Sequence, residues 1–282
     1  MTGFIVVNKA EGVSSAREVN IIKRLTNTPC GHMGTLDPMA SGVLPIAIGN
    51  ATRLFDYFLE KRKTYIATFV FGINSDTLDT TGNIIEEGGL IPSEDEINAC
   101  LPDLVGEIYQ VPPKYSAKNI DGKRGYQLAR AGIEFELPPK KVSIYSVRLL
   151  NKIDKSSYSF EIECGGGTYI RSIARDLGAK LGTCAIMSSL VRTKSGIFEL
   201  DKSIKTESLT KENIVNYITE TDSVLPFVSF HPTEVEAKKL FNGLTVKCSL
   251  CDGTYKIYCN DGSFYGLAEA KDNILKVRTK LC

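Results

Sequence analysis

Gly31-His32-Met33-Gly34-Thr35-Leu36-Asp37-Pro38-Met39-Ala40-Ser41-Gly42 is the stretch from which the rest of this 282-residue chain is read. Three glycines and a proline make it unsuited to a helix or a central strand, since glycine loses most chain entropy on ordering and proline removes a ladder donor. The proline after Asp37 biases that residue toward extended backbone, so its carboxylate stands on a stiff, irregular segment. Leu36, Met39 and the following Val43-Leu44-Pro45-Ile46 pin the loop against a core. A lone Asp-Pro reads as a turn, whereas a pinned, partly desolvated carboxylate reads as a nucleophile or base.

The bulk properties are those of an ordinary globular chain, with 43% hydrophobic and 24% charged residues and a net charge of +1. The length suits one large domain or a large and a small one. The apolar run Phe4-Ile5-Val6-Val7 is too short for a signal peptide, and no later run approaches the ~20 apolar residues of a membrane span. Eight cysteines without a small-domain framework fit free thiols in a reducing cytoplasm. Cys248-x-x-Cys251 lacks a second matched pair or a nearby histidine, so no metal site is assigned. Charge is unevenly spread: residues 75–107 hold nine acidic side chains and no Lys or Arg, whereas residues 110–149 hold eight basic against three acidic. A dipolar surface of this kind can dock a polyanion on one side.

Upstream of the loop, Phe4 to Val7 reads as a short strand, Lys9 falls in a turn, and Ser15-x-x-Glu18 has the spacing of a capping box opening a helix with Val19, Ile22 and Leu25 on its core face. Downstream, the cluster Lys61-Arg62-Lys63 runs into Thr64 to Gly72, whose β-branched and aromatic residues predict a buried strand. Tyr65, at that junction, reads from the residues alone as a core tyrosine. Asp76 to Gly82 is a turn rich in acceptors, and Ser93-x-x-Glu96 caps a helix ended by Gly106. The segment from Val111 to Gly132 interleaves lysines with tyrosines among Pro and Gly, which suits phosphate contacts and stacking. Lys140 to Ile153 and Ser157 to Cys164 read as an antiparallel pair. Gly165-Gly166-Gly167-Thr168-Tyr169-Ile170-Arg171-Ser172 feeds three glycines into a helix, a natural anion site, but no Gly-Lys-Thr follows, which argues against nucleotide-triphosphate hydrolysis. From about Phe227 short strands alternate with turns, and Asn260-Asp261-Gly262 is a hairpin signal.

The full string around Asp37, with Gly167 to Ser172 and Leu190-Val191-Arg192-Thr193-Lys194-Ser195-Gly196, resembles the motifs of the TruB family of pseudouridine synthases, bacterial enzymes that isomerise a uridine in the T-loop of tRNA. The resemblance implies that Asp37 is the catalytic residue and that Tyr65 packs on the target base. It implies that Arg171 pairs with Asp37, that Asp79 is a partner of that arginine, and that Tyr169 and Leu190 line the pocket. His32 is given a loop-ordering and base-flipping role. The turn Asn8-Lys9-Ala10-Glu11-Gly12 departs from the family's Asp-Lys-Pro-x-Gly.

The expected architecture is therefore α+β: a large, mixed, mainly antiparallel sheet flanked by helices in residues 1–227, with an RNA-binding insertion at about 110–140, and a small β-rich PUA-like RNA-binding domain in residues 228–282. The expected function is isomerisation of uridine 55 in the T-loop of tRNA to pseudouridine, by base flipping and an aspartate-dependent mechanism. No cofactor or metal is called for, because the reaction has no redox change and needs no energy input. The expected setting is a cytoplasmic monomer that acts on the tRNA T-arm without a membrane or protein partner. Two other classes compete: a non-catalytic RNA-binding protein, for which the stiff Asp37 loop has no purpose, and a glycosidase-like enzyme, which would want two facing carboxylates.

Overall fold

The computed structural model of the chain describes residues 1–59, 61–116, 119–120 and 122–282. Among them, nine strands form one sheet: β1 (Gly3–Lys9), β2 (Cys30–His32), β3 (Ser41–Ile48), β4 (Lys63–Phe71), β5 (Gly106–Gln110), β6 (Lys140–Lys152), β7 (Ser157–Cys164), β8 (Ala185–Ser195) and β9 (Phe198–Glu199). Their order is β1-β3-β8-β4-β7-β6-β5, with β2 added to β3 and β9 to β8. Neighbours run antiparallel except β3 and β8, which touch in parallel register at Val191↔Ser41 and Arg192↔Gly42. This is the mixed, mainly antiparallel α+β architecture expected.

The burial pattern of β4 explains its place at the centre. Its residues alternate between buried and half-buried, so that Lys63, Tyr65, Ala67, Phe69 and Phe71 share the inner face. β3 is buried along nearly its whole length because cores form on both sides of it. Leu44, Ile46 and Ile48 join the cluster that includes Tyr65, Phe69 and Ile173, while Val43 and Ala47 join Phe4, Phe58 and Phe198 on the other face. Helices Ser15–Thr26 and Ile170–Lys180 cover the first face with Ile22, Ile173 and Leu177. Burial of each such side chain is worth about 1.5–3 kcal/mol.

A second, five-stranded sheet follows, made of β10 (Val228–Phe230), β11 (Val246–Lys247), β12 (Gly253–Tyr258), β13 (Phe264–Lys271) and β14 (Ile274–Lys280), in the order β10-β12-β13-β14-β11. Leu267 and Leu281 enter the same hydrophobic cluster as Phe4 and Phe58, so this sheet is packed onto the first. No helix among the described residues is long and apolar enough to cross a membrane.

Several local expectations are corrected. The first helix is capped by Ser14, whose hydroxyl accepts from Arg17 N; Ser15 and Glu18 are instead buried. Lys9 is the last residue of β1 and fully buried. Both ends of the Gly31 to Gly42 stretch are strands, and Ser41-Gly42 opens a central one. Gly42 is admissible there because a close approach requires it: at φ +99°, a Cβ would lie 2.3 Å from Arg192 O. Pro45 also sits inside β3, its carbonyl accepting from Met33 N. Gly106 starts β5 after a 3-10 turn over Leu101–Leu104 instead of ending the helix. Ala117 and Lys118 of the basic stretch lie outside the described residues.

Candidate active site

Asp37 stands on the irregular segment between β2 and β3, and three side chains from distant parts of the chain fix that segment. Ser15 Oγ accepts from Leu36 N (3.0 Å) and donates to Leu36 O (2.9 Å). Lys9 Nζ donates to Pro38 O (3.2 Å) while also holding Val13 O (2.6 Å) and Ala10 O (2.9 Å). Arg192 Nε donates to Val43 O (2.7 Å), and its Nη2 donates to Gly34 O (3.1 Å). Within the loop, Ala40 N donates to Asp37 O (3.0 Å). The backbone on either side of Asp37 is thus bonded to β1, the first helix and β8, and the carboxylate is left half-exposed.

That carboxylate is met by Arg171, in the first turn of the Ile170–Lys180 helix. Arg171 Nη2 lies 2.8 Å from Asp37 Oδ2, and Nη1 lies 3.3 Å from Asp79 Oδ2. The guanidinium also donates to Thr77 O (3.0 Å) and Tyr115 O (3.1 Å). Asp79 is held in turn: its Oδ1 accepts from Thr77 Oγ1 (2.7 Å), Thr81 Oγ1 (2.6 Å) and Thr81 N (3.0 Å). A planar fork bonded at four points has one orientation, and this one presents a fixed positive charge to Asp37. The helix has no side-chain N-cap; instead Gln110 bridges Tyr169, accepting from its N–H (2.8 Å) and donating to its carbonyl (3.1 Å). Tyr169 is fixed by that exchange.

A cavity of about 400 Å³ opens beside the pair, a size that takes a nucleotide. Asp37, Tyr65, Tyr169, Arg171 and Leu190 line it, together with Leu36, Pro112 and Met187. Tyr65 is 7% exposed. Burial raises the pKa of its phenol, against the opposing influence of nearby Arg192, and burial likewise raises that of Tyr169. Asp79 reaches the site through Arg171 and is not among the lining residues. His32 is not among them either. It sits in β2 opposite Ile46, its buried Nδ1 has no well-formed hydrogen bond among the described residues, and burial, then the charge of Arg192, lowers its pKa.

Sequence reasoning missed Arg192 and Lys63. Both line the cavity and both are buried. Lys63 Nζ donates to Leu59 O and Lys61 O, each at 2.7 Å, and burial followed by the Arg192 charge pulls its pKa from 10.5 to about 8. Lys63 thus does not belong to a solvent-facing basic cluster, whereas Arg62 does, stacked 3.9 Å from the Tyr145 ring centroid. A signal for Arg192 was available: it stands two residues after Leu190, on the same face of a strand.

Residues 23–170 match the model of the N-terminal domain of the TruB family of pseudouridylate synthases, and residues 171–228 match that of the tRNA pseudouridylate synthase B C-terminal domain. The chain belongs to the TruB family. Within that family this chain is 39% identical over 282 residues to tRNA pseudouridine synthase B of Clostridium kluyveri, covering 96% of each. It is 44% identical over 216 residues to that of Borreliella burgdorferi, covering 76% of this chain and 77% of the relative. A chain of a Cbf5-Nop10-Gar1 complex has the same fold, with a TM-score of 0.73 at 24% identity over 99% of this TruB-family chain and 85% of that one. The first match spans Asp37, Tyr65, Asp79 and Tyr169; the second begins at Arg171 and contains Leu190 and Arg192.

Proposed function

We propose that this chain converts uridine 55 in the T-loop of tRNA to pseudouridine. The observation that carries the reading is the Asp37–Arg171 pair on the wall of a nucleotide-sized cavity faced by Tyr65, in a chain of the TruB family. A uridine flipped out of the T-loop enters the cavity and lays its base on the Tyr65 ring, a contact worth about 1–3 kcal/mol that offsets the stacking lost in the RNA. The N1–C1′ bond breaks, the uracil turns, and C5 bonds to C1′; C5 loses a proton and N1 gains one, so the reaction is an isomerisation. The Asp37 carboxylate, as nucleophile or base, is the group that acts on the sugar or base. Arg171 holds it in place and supplies the opposing charge, Asp79 holds Arg171, and Tyr169 and Leu190 bound the base. His32 orders the entrance from β2. The basic segment from Val111 to Gly132 and the PUA-like five-stranded sheet bind the tRNA backbone. The enzyme works as a cytoplasmic monomer.

Asp37→Asn tests the reading, since it keeps size and shape while removing charge and nucleophilicity. A gel shift with unmodified tRNA transcript should persist, and pseudouridine at the target should be undetectable over hours. Product from a variant shown by mass spectrometry to be free of deamidation would overturn the assignment.

A further inference from the structure

Among the buried polar side chains of the cavity wall, one has neither a task in the reaction nor a well-formed bond among the described residues. Ser116 is 4% exposed and lines the cavity, yet its Oγ has no well-formed hydrogen bond among the described residues; the Tyr169 phenol is the side-chain group within its reach. The other buried polar side chains of the wall are committed elsewhere: Arg171 to two carboxylates and two carbonyls, Arg192 to Val43 O and Gly34 O, and Lys63 to Leu59 O and Lys61 O. A buried hydroxyl with the Tyr169 phenol beside it and no well-formed bond keeps hydrogen-bonding capacity unfilled, and the deficit ends when a matching group arrives.

Ser116 is held where such a group would arrive. Its carbonyl accepts from Tyr126 N (3.0 Å), its amide donates to Lys114 O (3.0 Å), and the preceding carbonyl, Tyr115 O, accepts from Arg171. Gly125 packs against the same turn, where a Cβ would come 3.0 Å from Lys114 O and 3.3 Å from Ser116 O. The basic insertion therefore delivers a hydroxyl into the cavity from a backbone tied to the arginine that meets Asp37.

We propose that Ser116 is a specificity-determining residue whose hydroxyl hydrogen-bonds the flipped uridine, through a carbonyl oxygen of the base or the ribose 2′-hydroxyl. The inference rests on the reading of the cavity as a uridine site.

The test is single-turnover conversion of unmodified tRNA by the full chain and by Ser116→Ala, with thermal unfolding of both. Because alanine removes a buried hydroxyl that has no well-formed bond among the described residues, Tm should be equal to or above that of the parent, while the rate at saturating tRNA falls roughly 10- to 100-fold. Repeating the pair on RNA with 2′-deoxyuridine at the target separates the two partners: a penalty that vanishes assigns the 2′-hydroxyl, and one that persists assigns the base. An unchanged rate overturns the proposal, as does a fall in Tm with the rate, which would make the hydroxyl structural. If the parent chain itself makes no pseudouridine, the proposed function fails, and this inference with it.

Discussion

The hydroxyl of Ser15 both accepts from and donates to the backbone of Leu36, so one side chain on the first helix fixes the residue immediately before Asp37. Ser15→Ala leaves a buried N–H and a buried C=O unpaired at that position. The expected outcome is a loss of about 1–3 kcal/mol in urea unfolding and a slower single-turnover rate at saturating tRNA with unchanged affinity. An unaltered rate would show that the loop holds its shape without this anchor.

Arg192 holds two carbonyls that flank Asp37 on either side of the loop, and no carboxylate among the described residues pairs with it. Arg192→Met keeps much of the volume and removes all donors, and should cost about 2–4 kcal/mol, the scale of a broken buried polar network. Urea midpoints of the two proteins decide it. Wild-type stability in the variant would mean that the carbonyls find other donors.

Much of this was open to reading in the sequence. The β-branched and aromatic residues of Thr64 to Gly72 predicted a buried strand, and Lys63–Phe71 is one, with one face buried and the other half-buried; the motif strings contain Asp37, Arg171 and Leu190, which line one cavity. What was not legible had specific causes. Ser15 and Glu18 have capping-box spacing, but tertiary contacts took Ser15 for Leu36 and left Ser14 as the cap. Gly42 argued against a central strand on local propensity, and the close passage of Arg192 O across it overrode that. Lys63 looked like surface charge because one-dimensional clustering cannot tell an ammonium in water from one capped by backbone carbonyls.

Asp79 has no free oxygen with which to act directly: three donors from Thr77 and Thr81 occupy Oδ1, and Arg171 meets Oδ2. Asp79→Ala should therefore slow conversion through Arg171, leaving a buried guanidinium with one of its carboxylates gone, a change on the scale of about 3–5 kcal/mol. The check is whether adding Asp79→Ala to Arg171→Ala costs anything further. Additive losses would give Asp79 a role independent of the arginine.

Stability should also report on the buried lysines. Lys9 and Lys63 take up protons near 10.5 when unfolded but only below about 8 when folded, since burial lowers both. Between those values the unfolded chain holds more protons, so their contribution to unfolding free energy rises with pH from about 8 to 10.5 and is smallest below 8. Measured across that window, the stability of wild type relative to Lys63→Met should climb. A difference that stays flat with pH would place the Lys63 pKa near its ordinary value.

A chain ending at residue 227 would lose Leu267 and Leu281 from the cluster around Phe4 and Phe58, as well as the bond from Arg53 Nη1 to Lys280 O (2.7 Å). Its Tm should fall and its tRNA affinity weaken, while conversion at saturating tRNA persists below the new Tm. Calorimetry and filter binding would decide this; full affinity in the shortened protein would remove the RNA-binding role from residues 228–282.

Gly34 and the arginine that clamps it are 158 positions apart. A ribosome extruding this chain presents Asp37 early, with the Lys9 and Ser15 anchors already made, but the Arg192 clamp waits for β8 to emerge and the charge partner waits for Arg171. Synthesis thus delivers the carboxylate first and completes its surroundings last, 134 positions later at Arg171 and 155 positions later at Arg192.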